Sequence, residues 1–310
     1  MNRIIKKYMP VLAAAVITVG VSVNANADFI DMPTEPVMKQ ALENAVENKL
    51  LNGYETGEIR PDGNITRAEM SAIITRCLGA VKTADISKFV DVPETEWYYD
   101  VLSKGVAMGA FQGDGNLLNP ENNITFQETF AVISRIFDLK TQDEASIANL
   151  TDKDKIDDWA MEYVLKVFTG GFWGEGITEL RPNEYITRGE FAILMDRLVK
   201  DYIDESGEYS EIPDGNVVIR TGNVTFNNVA HDDKIIIGDG VDGIVTFNGS
   251  DLNDVLGRGG IVSIDDKTAV FTIRLVVEGA KAIAPISSKK EGGQYYGIKG
   301  TNFSIGTISL

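Results

Sequence analysis

Ile65-Thr66-Arg67-Ala68-Glu69 stands ahead of the apolar residues Met70, Ile73, Ile74, Cys77 and Leu78. The same phrase returns as Ile124-Thr125-Phe126-Gln127-Glu128 and as Ile186-Thr187-Arg188-Gly189-Glu190. Val132, Ile133, Ile136 and Phe137 follow the second copy, and Phe191, Leu194, Met195, Leu198 and Val199 follow the third. Apolar residues three and four apart form one buried face of an amphipathic helix. Threonine followed three residues later by glutamate is a capping box, in which each side chain takes a backbone N–H that the helix start leaves open. Thr66 with Glu69, Thr125 with Glu128, and Thr187 with Glu190 are therefore read as helix caps.

The recurrence extends outward from this phrase at about sixty-residue spacing. The copies open with Phe29-Ile30-Asp31, Phe89-Val90-Asp91 and Leu150-Thr151-Asp152. Each runs through a helix-like stretch to a glycine (Gly53, Gly113, Gly174) and then a proline (Pro61, Pro120, Pro182) four residues before the isoleucine. Each copy is thus helix, loop, helix. A unit of that size buries too little apolar surface alone, so the three are expected to pack into one body.

Arg67 and Arg188 are the residues the cap does not explain, because a helix start carries partial positive charge and favours anions. Two explanations stand. The arginines pair with an acidic neighbour, for which Asp31, Asp91 and Asp152 are at hand, or they join open N–H groups of the helix start as a receptor for a carboxylate or phosphate. On the second explanation, alanine at both positions should abolish binding and if anything slightly favour the helices. Arg76, Arg135 and Arg197 recur ten residues after each threonine and read as exposed salt-bridge partners. Phe126, uncharged, should contribute packing at most.

Arg3, Lys6 and Lys7, the apolar run 11–23 and Ala25-Asn26-Ala27 have the order of a secretory signal peptide cut after Ala27. The run is short of the roughly 20 residues that span a bilayer, so no membrane insertion is expected after cleavage. Loss of those three cations takes the formal charge from −17 to −20. Such a chain repels nucleic acid and anionic lipid at long range, and an acidic ligand would need local cations to hold it. Cys77 is the only cysteine, which excludes an intramolecular disulfide; its place on the helical stripe reads as a buried apolar position.

A signal peptide followed by three copies of F-x-D, an aromatic near the first helix, a glycine and P-x3-I-T-R-A-E resembles the S-layer homology family over 28–202. The resemblance implies a pseudo-threefold all-α bundle that binds secondary cell-wall polysaccharide, often pyruvylated, in grooves between repeats. It nominates Arg67 and Arg188 as anion contacts, with Asp31, Asp91, Asp152, Trp97, Trp159, Gly53, Gly113 and Gly174 as further polysaccharide-binding positions. An indole suits a sugar ring by its broad apolar face, although core packing would suit it too. Val37 stands where copies two and three have tryptophan, and Phe126 where the arginine belongs, so at least one groove departs from the family pattern.

After 203 the composition changes. An acidic stretch with Gly207, Pro213 and Gly215 reads as a linker over 204–216. Beyond it come short β-branched runs: Val217–Ile219, Val224–Phe226, Lys234–Ile237, Ile244–Phe247 and Phe271–Ile273. Val-Thr-Phe-Asn occurs at Val224–Asn227 and Val245–Asn248, as stacked coils of about twenty residues in a parallel β-helix would produce; a sandwich is the alternative. Asp232-Asp233, Asp239 and Asp265-Asp266 could make a carboxylate pair or a calcium site, but turn aspartates account for them more simply. No cofactor, metal or catalytic residue is expected.

The expectation is therefore a multidomain α + β protein. It has a signal peptide (1–27), three repeats (28–82, 83–142, 143–203), a linker (204–216) and an all-β domain (217–310). Its expected work is non-catalytic attachment to an anionic wall polysaccharide at the bacterial surface. A wall-attached carbohydrate-active enzyme with a catalytic β domain, and a surface-array component that self-associates, are the alternatives.

Overall fold

The computed structural model describes residues 29–140, 147–173, 176–265, 267–275, 281–283 and 305–306. The proposed signal peptide, the expected mature terminus at Asp28, Gly174 and Asp266 lie outside them. Among the described residues no helix is long and apolar enough to cross a membrane. The described residues divide into two compact units, one up to Leu198 and one from Val199 onward.

The first unit is helical. Its helices are α1 (Pro36–Glu47), α2 (Arg67–Cys77), α3 (Tyr99–Ala107), α4 (Phe126–Ile136), α5 (Asp158–Thr169) and α6 (Arg188–Leu198). Capping boxes start α2 and α4. At α6, the Thr187 amide likewise meets Glu190 Oε2 at 3.0 Å, and the Glu190 amide meets the Thr187 hydroxyl at 3.2 Å. The apolar stripes are buried as their spacing requires, with Met70, Ile74, Cys77, Ile133, Ile136 and Leu194 all at 0% exposure.

The three helix pairs close into a ring through their threonine motifs. The Ile65 amide donates to Ile186 O at 3.2 Å, Ile124 to Ile65 O at 3.0 Å, and Ile186 to Ile124 O at 3.1 Å. All three isoleucines are fully buried. Helix packing follows the same cycle: α3 lies on α2, α5 on α4, and α1 on α6. No pair is complete without a neighbour, for the area-to-volume reason that makes so small a unit marginal alone.

The ring also uses the open ends of the helices. Arg67 and Ala68 donate their amides to Asn122 O and Pro120 O, Phe126 and Gln127 to Glu184 O and Pro182 O, and Arg188 and Gly189 to Gly63 O and Pro61 O. The next amide in each helix goes to the capping threonine. The expectation of open N–H groups at these starts, available to an anion, is thereby corrected. In a cyclic assembly the loop of the following pair supplies carbonyl acceptors first.

The second unit is a parallel β-solenoid of about four turns. One sheet runs β1 (Asp201–Ile203), β3 (Val217–Ile219), β5 (Ala230–Ile237), β7 (Asp251–Gly257) and β9 (Ala269–Leu275). The other runs β2 (Gly207–Tyr209), β4 (Val224–Asn227), β6 (Ile244–Asn248), β8 (Ile261–Ile264), β10 (Lys281–Ile283) and β11 (Ile305–Gly306). Every pairing is parallel. The Val-Thr-Phe-Asn repeats explain themselves here. Val224 pairs with Val245 and Phe226 with Phe247, and all four side chains are buried. The two phenyl rings stack at 5.1 Å, while Asn248 Nδ2 donates to Asn227 Oδ1 at 3.0 Å. Identical residues in register satisfy one another by stacking like on like.

Two boundaries differ from expectation. The stretch read as a linker contains β2, which pairs with β4, and β1 begins inside what was read as the third repeat. The acidic, glycine-bearing composition hid β2, and β1 was hidden by its place directly after the third repeat's last helix. Tyr209, whose ring stands 5.7 Å from that of Phe226, supplies the apolar contact that holds β2. A sandwich is excluded by the all-parallel order.

Candidate functional site

Two grooves of equivalent construction open on the helical unit. The first, of about 200 Å³, is lined by Asn52, Tyr54, Glu69, Arg76, Trp97 and Arg188, among others. The second, of about 150 Å³, is lined by Phe111, Gly113, Glu128, Arg135, Trp159 and Arg67. Each draws its arginine from the preceding helix pair around the ring, its glutamate and second arginine from its own pair, and its indole from the following pair. The threonine motif thus sends its arginine into a neighbour's groove.

Arg67 donates from Nε to Leu118 O at 2.8 Å and from Nη1 to Glu128 Oε1 at 3.1 Å, with its guanidinium 5.4 Å from the Phe111 ring. Burial lowers its pKa; the charges of Glu128 and Asp91 act against that. Arg188 is 5% exposed and donates from Nε to Ile59 O at 2.8 Å and from Nη2 to Asn52 O at 2.9 Å. Its guanidinium lies 5.0 Å from the Tyr54 ring, and Arg60 covers that ring at 3.9 Å. Both arginines tie helix pairs together, and neither pairs with the aspartates considered from sequence.

Asp31, Asp91 and Asp152 have another occupation. Asp31 accepts the amides of Ile59 and Arg60, Asp91 those of Leu118 and Asn119, and Asp152 those of Leu180 and Arg181. The second residue of each pair precedes the recurring proline and has positive φ: 54° at Arg60, 52° at Asn119 and 61° at Arg181. A non-glycine residue resists that conformation, and a carboxylate bound to two successive N–H groups holds it. Gly53 and Gly113 make room for the opening phenylalanines: an added Cβ would come 2.1 Å from the Phe29 ring and 2.5 Å from the Phe89 ring.

Trp97 and Trp159 stand on the groove walls with 61% and 49% exposure, so core packing does not account for them. Trp159 donates its indole N–H to Asp157 Oδ2 at 3.1 Å. Arg76 donates to Leu50 O at 3.1 Å, and Arg135 donates to the Tyr163 hydroxyl at 3.2 Å with its guanidinium 4.8 Å from that ring. These two also line the groove walls, a place that the sequence reading did not give them. Each lies seven positions after a capping glutamate, two turns along the same helix face, and that spacing was the signal for them. Tyr54 had no counterpart in the other copies and was missed.

The two departures, Val37 and Phe126, belong to the same third position around the ring. There Phe126 is fully buried, 5.3 Å from Trp173 and 6.3 Å from Phe130. The Arg181 guanidinium covers it at 4.7 Å and pairs with Glu190. Aromatic rings occupy the space that the arginine enters elsewhere.

In the solenoid, Asp265 accepts the amides of Gly249 and Thr268, and Asp233 accepts that of Gly215 on the preceding coil. Asp265 acts as a turn aspartate, whereas Asp232 and Asp233 lie within β5, where its register with β7 shifts between His231 and Lys234. Among the described residues no three His, Cys, Asp or Glu side chains gather as a metal-binding group.

Residues 31–71 and 88–130 match the S-layer homology domain. The chain is similar to the "Surface-layer 125 kDa protein" of Lysinibacillus sphaericus, 29% identical over 195 residues that make up 61% of this chain and 16% of the relative. It is similar to the "Cellulosome-anchoring protein" of Acetivibrio thermocellus, 28% identical over 47% of this chain and 34% of the relative. With "Exoglucanase XynX" of the same species it shares 26% identity over 51% of this chain and 15% of that protein. The chain thus spans about a third or less of the length of these relatives. The domain match and the surface-layer and cell-surface relatives support attachment at the cell wall or cell surface.

Proposed function

We propose that the helical unit holds the protein on an anionic secondary cell-wall polysaccharide through the first and second grooves, each taking an acidic sugar such as a pyruvylated one. The third helix pair is a diverged third copy whose groove does not bind. The observation that carries this reading is the repeated juxtaposition, within one groove, of two guanidiniums and an exposed indole. Guanidinium groups suit a carboxylate held in a fork, and an indole face suits the apolar side of a pyranose. The surrounding acidic surface gives no long-range help, so binding should weaken with added salt.

Asp31, Asp91, Asp152, Gly53 and Gly113 act in this reading by shaping the loops that carry the grooves, and Gly174 stays a nominated position by analogy. The solenoid is a displayed, non-catalytic part whose removal leaves wall attachment intact. Self-association in a surface layer is compatible with it.

The test is a binding isotherm on purified wall polysaccharide with the parent and with Arg67→Lys and Arg188→Lys, circular dichroism being recorded on the same samples. Lysine keeps the charge but loses the planar fork. Each single variant should bind about tenfold more weakly, and the pair should not sediment with walls. Folded variants that bind as the parent does would overturn the proposal, as would undiminished binding to walls stripped of polysaccharide by acid. Release of reducing sugar from walls by pure protein would remove the non-catalytic reading.

A further inference from the structure

The three capping glutamates spend one carboxylate oxygen alike and the other differently. Oε2 of Glu69, Glu128 and Glu190 accepts the amide of its capping threonine at 2.9, 2.9 and 3.0 Å. Oε1 of Glu69 faces the Tyr54 hydroxyl at 3.4 Å, Oε1 of Glu128 holds Arg67 at 3.1 Å, and Oε1 of Glu190 holds Arg181.

The arginines of the two grooves are consequently in different electrical states. Arg67 has a carboxylate against it. Arg188 makes no ion pair among the described residues; its partners are two backbone carbonyls and the Tyr54 ring, all uncharged. Its charge is felt across the groove, where it adds to partial burial in lowering the pKa of Arg76. Tyr54 underlies the difference: it occupies Oε1 of Glu69 and offers Arg188 a ring face. The residue following the glycine in the second copy is Asp114, tied into a tight bridge with Leu117.

We propose that Glu128 is an internal competitor for the anion in the second groove, so that the two grooves are unequal. The first takes a carboxylate-bearing sugar directly on Arg188; the second takes it only as the sugar displaces Glu128 from Arg67. This rests on the reading of the grooves as anion sites. A buried guanidinium already neutralised by a carboxylate gains little from a second one until the first leaves, whereas one satisfied only by neutral acceptors gains a charge-assisted pair outright.

The test uses the full chain with D-glucuronate as the probe. The arginine Nε–H signals of Arg67 and Arg188 are followed by NMR, with Arg67→Lys and Arg188→Lys used for assignment. In the parent, Arg188 should reach half-saturation at about tenfold lower glucuronate than Arg67. Glu128→Gln, which keeps a residue acceptable in a capping box, should lower the Arg67 midpoint by about tenfold and leave that of Arg188 unchanged. Equal midpoints in the parent would overturn the proposal while leaving the groove reading in place, as would an Arg67 midpoint unmoved in a folded Glu128→Gln. Glucuronate that shifts neither arginine would overturn both.

Discussion

Arg188 donates from Nε to the carbonyl of Ile59, 129 residues earlier in the chain, at 2.8 Å. With its second bond to Asn52 O, this side chain joins the last helix pair to the loop of the first. Sequence reasoning expected alanine here to spare the fold. The structure reverses that: truncation leaves the buried carbonyl of Ile59 and the part-buried one of Asn52 without their donor, at about 1–3 kcal/mol each. Arg188→Ala should lower the stability of the helical unit by about 2–4 kcal/mol in urea unfolding followed by tryptophan fluorescence, and Arg188→Lys by less. This is why lysine variants are the better test of binding.

Asp91 is expected to matter for folding rather than for recognition. Asp91→Ala frees the amides of Leu118 and Asn119 and releases Asn119 from its left-handed conformation, so it should cost about 2–4 kcal/mol. Asp91→Asn, with one acceptor oxygen, should recover part of it. Urea midpoints for both variants check this, and an Asp91→Ala protein as stable as the parent would refute the loop-holding role.

Phe126→Ala should also destabilise, by about 3–5 kcal/mol, because the ring is fully buried among Phe130 and Trp173. Glucuronate midpoints at Arg67 and Arg188, measured where the variant is folded, should stay within twofold of the parent.

His231 supplies a pH dependence in the solenoid. It is 5% exposed, and among the described residues its Nε2 has no hydrogen-bond partner. Burial holds its pKa below the ordinary value of 6.5, against the opposing charges of Asp233, Asp214 and Asp232. The folded state therefore binds fewer protons than the unfolded one just below pH 6.5. The contribution is complete above that pH and is lost as pH falls beneath it. Hydrogen exchange in 230–237, corrected for the intrinsic pH effect, should show protection declining from pH 7.5 to 5.5, and His231→Gln should flatten that decline.

Much of this protein was legible along the chain. Thr66 with Glu69 and the stripe behind them state a capped helix locally, since both signals act within two turns. Val224–Asn227 repeated at Val245–Asn248 suggested parallel coils, since in-register stacking makes identical residues neighbours, but a sandwich stayed open until the all-parallel pairing was seen. The strands β1 and β2 were not legible, since β1 directly follows the third repeat's last helix, β2 has the composition of a linker, and the partners of both lie on the next coil.

The sequence by itself determined the repeat, the caps, the buried faces and the class of each unit, all of which follow from periodicity and near neighbours. Only the tertiary structure decided where each motif arginine goes. Closure of three helix pairs into a ring sends Arg67 and Arg188 into the groove of the following pair, gives the helix-start amides to loop carbonyls, and brings the departures at Val37 and Phe126 to one groove. Those relationships join residues of different copies across long stretches of chain, and no local pattern encodes which copy will be the neighbour.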